Sequence, residues 1–291
     1  MLLVMGLGYA GSATASLAAA TGQAVRGTRR DPARAPTLPG VTAIAFDAAG
    51  PAIAQARHLL VTAAPGESGD PVIGAHRSAI DAALAAGTLR WVGYLSTTGV
   101  YGDRDGAEVD ESTLPAPGQD RSRRRLAAED AWRALVGARA ALDIFRVGGI
   151  YGPGRSPFDE LRAGAARRVV KPGHAFSRIH RDDIAQAVVA AMAQDSAPRT
   201  RILHLVDDEA AESAAVVDYA ARLLGVAPPP TVPFEEARAR MSPMALSFWA
   251  ENRRVANAAT KAALGIAWRY PTYREGLAAI LEEERREGLA Q

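Results

Sequence analysis

Cysteine is absent from all 291 residues. That absence removes disulfides, thiolate nucleophiles and cysteine metal sites together. No apolar run approaches the roughly 20 residues needed to cross a bilayer. Met1 leads straight into an apolar stretch, which on this reading leaves no room for a signal peptide. A cytoplasmic location is therefore the expectation. Neither sign of charge dominates: 34 Lys and Arg stand against 32 Asp and Glu, a formal net charge of +2. Basic residues are dispersed apart from one cluster at 121–125, so neither nucleic acid nor a membrane is an expected partner. The histidines, His58, His76, His174, His180 and His204, form no metal-spaced cluster, and no metal is expected. A Gly-x-Ser-x-Gly elbow is missing too, which excludes the serine-hydrolase reading.

What is present begins at the first residue. Met1-Leu-Leu-Val-Met5 runs into Gly6-x-Gly8-x-x-Gly11, and a helix-forming run covers 12–20. Strand, glycine turn and helix in this order form a dinucleotide-binding unit. Gly6 allows the tight turn, Gly8 lets a pyrophosphate approach the backbone, and Gly11 lets the helix pack on the strand. Tyr9 and Ala10 belong to the same loop. The helix N-terminus offers free N–H groups to the phosphates.

A second strand over 23–27 ends in Thr28-Arg29-Arg30. NAD-binding units place an acidic residue here for the ribose hydroxyls. A hydroxyl and two guanidiniums suit a 2′-phosphate instead, so NADP is expected over NAD. A third strand over 41–46 ends at Asp47. A fourth over 58–62 runs into Ala63-Ala64-Pro65-Gly66, small residues against which a flat ligand can lie. A helix over 71–86 and a fifth strand over 89–95 follow. This alternation predicts an α/β fold of Rossmann type, a doubly wound parallel sheet with ligands at the carboxyl ends of its strands.

The fifth strand leads into Ser96-Thr-Thr-Gly-Val-Tyr-Gly102. Further on come Arg146-Val-Gly-Gly-Ile-Tyr-Gly-Pro-Gly154, Arg178-Ile-His-Arg-Asp-Asp-Ile184, and Arg254-Val-Ala-Asn257 with Tyr270-Pro-Thr-Tyr-Arg-Glu-Gly-Leu277. On these ordered segments the chain resembles the extended short-chain dehydrogenase/reductases, the NAD(P)-dependent epimerase/dehydratase group. The resemblance implies a dinucleotide-binding domain over 1–170 and a smaller C-terminal α/β substrate region over 171–291, interleaved with the first. It places the strand near 202–206 in that second region. It implies that Asp47 touches adenine, that Ser96 and Val147 complete the cofactor surface, and that Arg178, His180 and Thr98 meet substrate.

The family's acid/base pair is Tyr-x-x-x-Lys on the helix after the fifth strand, and here the pattern breaks. The register set by Arg125-Leu-Ala-Ala-Glu129 puts Arg125 at the lysine position and Arg121 at the tyrosine position. A guanidinium holds its proton above pH 12 or so and cannot donate it at useful pH. Arg125 could still bond ribose. Thr97 stands at the catalytic serine/threonine position, and Tyr101 is the nearby phenol. Catalytic candidates are therefore Thr97, Tyr101 and Arg125. The leading expectation is an oxidoreductase or epimerase acting on a carbonyl or secondary alcohol, with sugars and nucleotide sugars among the substrates the resemblance implies. The alternative is an NADP(H)-binding sensor or regulator without turnover. The glycine loop also resembles the β-hydroxyacid dehydrogenases, whose second domain is largely helical; the strand-like 201–206 argues against them. The expected partner is a small-molecule substrate, and a homodimer is compatible with the sequence.

Overall fold

The computed structural model describes residues 1–34, 37–194 and 197–288. All four residues of β1 (Leu2–Met5) are buried, as a strand covered on both faces requires. There follow α1 (Tyr9–Ala20), β2 (Val25–Arg29), β3 (Val41–Ala45), α2 (Gly50–Gln55), β4 (His58–Val61), α3 (Pro71–Ala85), β5 (Trp91–Thr97), β6 (Glu108–Val109), α4 (Asp120–Val136) and β7 (Ala141–Val147). The second half holds β8 (Gly149–Tyr151), α5 (Pro157–Arg162), β9 (Arg168–Val170), β10 (Arg178–His180), α6 (Arg181–Ala193), β11 (Thr200–Leu205) and α7 (Ser213–Leu224). It continues through β12 (Thr231–Pro233), α8 (Phe234–Ala237), α9 (Pro243–Trp249), β13 (Arg254–Val255), α10 (Ala258–Leu264) and α11 (Tyr273–Arg286).

Seven strands form one parallel sheet in the order β11-β7-β5-β4-β1-β2-β3. The order reverses between β1 and β4, and the carboxyl ends of these two strands open the crevice where α/β sheets bind ligands. Alternation along β1 feeds two cores. Leu2 and Val4 pack with Ala15 and Ala18 of α1 and Val188 and Met192 of α6. Leu3 and Met5 pack with Ile53, Ile80 and Trp132 of α2, α3 and α4.

The smaller region is built from parallel pairs, β8 with β10 and β9 with β12, over a cluster of Tyr151, Phe158, Val216, Tyr273 and Leu277. Two sequence expectations shift. β11 is not part of this region; it pairs with β7 from Thr200↔Leu142 to Leu205↔Val147 and completes the main sheet. Conversely β8, α5 and β9 precede residue 171 yet belong to the smaller region, so the chain crosses between the two more than once. β2 and β5 both run about two residues later than their apolar patterns suggest, which matters for Thr28 and Thr97 below. Among the described residues no helix is long and apolar enough to cross a membrane.

Candidate active site

The glycine loop joins β1 to α1 in the geometry the sequence requires. Gly6 has φ +119°, a region that L side chains rarely adopt. The Thr62 hydroxyl at the end of β4 donates to the Gly6 carbonyl at 2.6 Å and fixes the loop across the crevice. A Cβ on Gly11 would collide with that same carbonyl oxygen, whereas a Cβ on Gly8 would meet nothing within 4 Å. Gly8 is the N-cap of α1 and no side chain caps the helix. The loop thus presents uncapped amides beside open space, which fits a pyrophosphate. Ala10 is buried within the first turn. Tyr9 donates to the Pro153 carbonyl at 2.9 Å and ties the loop to the turn after β8.

From Gly8 and Tyr9 an open cavity of about 1030 Å³ runs past Ser12 to Arg29 at the end of β2, with Arg181 and Arg269 opposite. Arg29 is anchored through its Nε to the Leu7 carbonyl at 3.0 Å and through Nη1 to the Arg34 carbonyl at 2.9 Å. Arg30 and Asp47 are exposed. Thr28 needs correction: because β2 extends through Arg29, Thr28 is a strand residue, fully buried, and its hydroxyl has no partner among the described residues. It is not presented to a phosphate.

A second cavity of about 630 Å³ opens beyond β4, β5 and β7. Ala64, Pro65, Ser96, Thr97, Thr98 and Val147 line it, and Arg178 enters from β10. Ala63 is half-buried just before them. Thr97 ends β5; its hydroxyl accepts from the Gly99 amide at 3.1 Å, which leaves the O–H proton free to donate into the cavity. Arg121 and Arg125 both line this space from α4. Arg125 Nη1 donates to the Leu95 carbonyl at 2.8 Å and to the Tyr94 hydroxyl at 3.2 Å. Burial pushes that Tyr94 phenol up to about 12, so it stays protonated at neutral pH.

Two expected site residues are elsewhere. Tyr101 is fully buried, its hydroxyl hydrogen-bonded to His204 Nε2 at 2.5 Å and to the Asp110 carbonyl, with Arg146 over its ring. It holds the turn after β5 and does not reach the cavity. His180 is also buried; its Nδ1 accepts from the Asp182 amide at 3.2 Å, capping α6, and its ring packs on Tyr151 and Tyr270. Burial lowers it to about 4, so it is neutral and structural. Residues that the sequence did not single out complete the cavity: Arg155, Phe248, Trp249, Glu251 and Arg253. They come from distant loops and from α9, and no local pattern marks them. Glu251 is the lining's one carboxylate; Oε2 pairs with Arg253 at 2.9 Å and Oε1 has no partner among the described residues.

Behind Arg178 lies Asp207, 4% exposed, with neither carboxylate oxygen hydrogen-bonded among the described residues. Burial pushes it up to about 8, against the pull of Arg178, and pushes Asp183 up to about 6. Burial pulls His58 and His180 down to about 4. The neutral histidines lose stability as pH falls below 6.5, while the protonated aspartates lose it as pH rises through 6 and 8. Between pH 6.5 and 8 only Asp207 remains of these four. Stability is therefore expected to fall across that window, by at most about 1.4 kcal/mol per pH unit. Asp207→Asn should flatten the slope in urea titrations at pH 6.5, 7.25 and 8; a retained slope would put its origin elsewhere.

Among the described residues no group of His, Cys, Asp or Glu is arranged to hold a metal ion. No protein-family model matches the chain. Over 173 residues it is 32% identical to a 3-diazoavenalumate denitrifying reductase of Streptomyces sp; the match takes in 52% of this chain and 54% of that one, so the chain spans about half the length of this curated relative. A functionally unknown conserved protein from Silicibacter pomeroyi is 42% identical with a TM-score of 0.88, covering 97% of this chain and 98% of that one. A Methylobacillus flagellatus protein provisionally assigned as an NAD-dependent epimerase/dehydratase is 25% identical, TM-score 0.74, with 98% of both chains covered. MoeE5, solved with UDP-glucuronic acid and NAD, shares the fold at 22% identity and a TM-score of 0.77 over 98% of this chain and 99% of its own. With the ordered motifs seated on this sheet and these likenesses over nearly its full length, the chain has the fold of the extended short-chain dehydrogenase/reductases, the NAD(P)-dependent epimerase/dehydratase group.

Proposed function

We propose that the protein is an NAD(P)-dependent oxidoreductase or epimerase acting on a carbonyl or secondary alcohol. The observation that carries this reading is the pairing of a glycine loop whose uncapped amides border one cavity with a neighbouring cavity, beyond Tyr9 and Arg155, that Thr97 lines. The loop and α1 N-terminus would hold the pyrophosphate, and Asp47, Ala63, Ala64, Pro65, Ser96 and Val147 the flanking parts. When bound, the nicotinamide supplies or accepts the hydride. The chain's own contribution is different. Thr97 donates a hydrogen bond to the substrate oxygen, and Arg125 is locked to β5 beside it.

The family pair is replaced by permanent cations, so proton exchange falls to hydroxyls, to Glu251 or to the substrate itself. MoeE5 was solved with a nucleotide sugar, and the Streptomyces relative is named as a reductase; sugars and nucleotide sugars therefore belong in the screen beside simple carbonyls. The test follows nicotinamide absorbance over such a panel, with cofactor affinity measured on the same sample. Thr97→Val should lower turnover by about 10²-fold or more while leaving cofactor affinity intact. A full-rate Thr97→Val enzyme removes the assignment.

Among the described residues no Tyr, His or Lys lines this cavity, which favours a second reading, an NADP(H)-binding sensor. Tight cofactor binding with no turnover across the panel would select it. On either reading Arg29 and Arg30 should set a preference for NADP. Each charge-assisted bond to phosphate is worth about 1.5–3 kcal/mol, so the double change Arg29→Ala with Arg30→Ala should erase the preference. Equal affinity of the unaltered protein for NAD and NADP would refute it.

A further inference from the structure

We propose that the substrate carries a carboxylate directly bonded to the reacting carbon, as in a 2-oxo or 2-hydroxy acid, and that Arg121 and Arg125 hold it. This rests on the reading of Thr97 as the group that polarises the reacting oxygen. The two arginines are four residues apart on α4, so their side chains lie on one face, about 6 Å apart at Cβ. Elsewhere on the helix Arg123 pairs with Asp120 and Arg133 with Glu129 and Asp130, while Arg124, which does not line the cavity, has no ion pair among the described residues. Arg121 and Arg125 have none within 4 Å among the described residues. Arg121 lies over the Phe248 ring at 4.0 Å with Nη1 3.4 Å from Met244 Sδ, and Arg125 is tethered only to a carbonyl and a phenol.

Charge in the cavity is correspondingly unbalanced. Five guanidiniums line it against the single carboxylate of Glu251, which Arg253 already neutralises. An excess of one sign of charge around a cavity raises the local concentration of ligands of the opposite sign, and so favours an anionic one. Arg155 lies over the Tyr9 ring, beside the glycine loop. Arg178 enters from the far wall, its Nη1 held by the carbonyls of Phe176 and Ala211; it suits a second acidic group on the same substrate.

Position narrows the class further. Arg125 bonds the Leu95 carbonyl, two residues before Thr97 on the same strand, a separation of about 7 Å at 3.3 Å per residue. A carboxylate and an adjacent carbonyl oxygen bridge that gap, each within hydrogen-bond reach of its own partner. Arginine's planar fork matches a carboxylate better than it matches neutral oxygens. A cation at the position of the family's proton donor therefore exchanges proton transfer for anion capture.

Calorimetry with 2-oxoglutarate, its neutral dimethyl ester and UDP tests this without turnover, in the presence and absence of saturating NADP. The expected result is saturable binding of 2-oxoglutarate that survives NADP, weakens with salt, and drops about tenfold or more for the diester. Arg121→Gln and Arg125→Gln should each cause a similar loss. Circular dichroism checks both folds, and the hydrogen-bond and ring partners of Arg121 among the described residues are the exposed α9 side chains Met244 and Phe248, so its variant stays interpretable if Arg125→Gln unfolds. Displacement by NADP, equal affinity for the diester, tighter binding of UDP, unchanged affinity in a folded Arg121→Gln, or no saturable binding would each overturn the proposal. Cofactor affinity is read in a separate titration, so an anion site without NADP binding would sink the proposed function and leave the clamp standing.

Discussion

Gly8→Val is expected to weaken NADP binding by two orders of magnitude or more while the protein stays folded. Gly8 has φ −86° and ψ −163°, an extended conformation that valine adopts readily, and its Cβ would enter open space. The fold therefore tolerates the change. The space it would fill is the approach to the amides at the start of α1. Blocking two charge-assisted hydrogen bonds of about 1.5–3 kcal/mol each corresponds to roughly 10²- to 10⁴-fold in affinity. Gly11→Ala makes the contrast. Its Cβ would meet the Gly6 carbonyl oxygen, a backbone atom pinned by Thr62, so strand and helix must separate. That variant should lose the fold before it loses the ligand. Thermal melts and cofactor titrations on both distinguish the two roles. Undiminished NADP affinity in a folded Gly8→Val protein would exclude the loop as the pyrophosphate site.

The glycine loop was legible in the sequence because backbone geometry there is dictated residue by residue. Gly6 needs a positive φ and Gly11 a missing side chain, and both needs are visible as letters. The parallel sheet was legible through continuous apolar runs such as Leu2–Met5 and His58–Val61, buried on both faces. That Arg121 and Arg125 share a face of one helix was legible because residues four apart on a helix lie on the same side, and both line the cavity.

Burial of single polar side chains was not legible. Tyr101 and His180 stand in motif segments, yet each is turned inward by a partner far along the chain: His204 for Tyr101, Tyr270 for His180. Thr28 was misplaced because two arginines disguised the end of β2, whose last residues are polar but still paired with β3. Phe248, Trp249 and Glu251 reach the cavity only through the fold of α9 and the loop after it, so nothing in their neighbourhood announces them.

Glu129→Ala is expected to be the most destabilising change near the site, at about 3–5 kcal/mol. Glu129 is fully buried on α4 and joins three elements. Its Oε1 accepts from the Ser96 hydroxyl of β5 at 2.5 Å and from Arg146 Nε of β7 at 3.2 Å. Its Oε2 accepts from Arg146 Nη2 at 2.8 Å and from Arg133 at 3.1 Å. Ser96 and Arg146 are themselves register partners across β5 and β7, so one carboxylate clamps the helix to both strands immediately behind Thr97 and Arg125. Removing it leaves the Arg146 guanidinium, 3% exposed, with no counter-charge but the face of Tyr101. The cost lies in that orphaned cation more than in the lost bonds. It follows that Glu129→Leu combined with Arg146→Met, which removes both charges and keeps volume, should be more stable than Glu129→Ala alone. Urea denaturation of the two variants beside the parent measures this. A Glu129→Ala loss below about 1 kcal/mol, or a double variant weaker than the single, would show that the clamp does not hold α4 against the sheet.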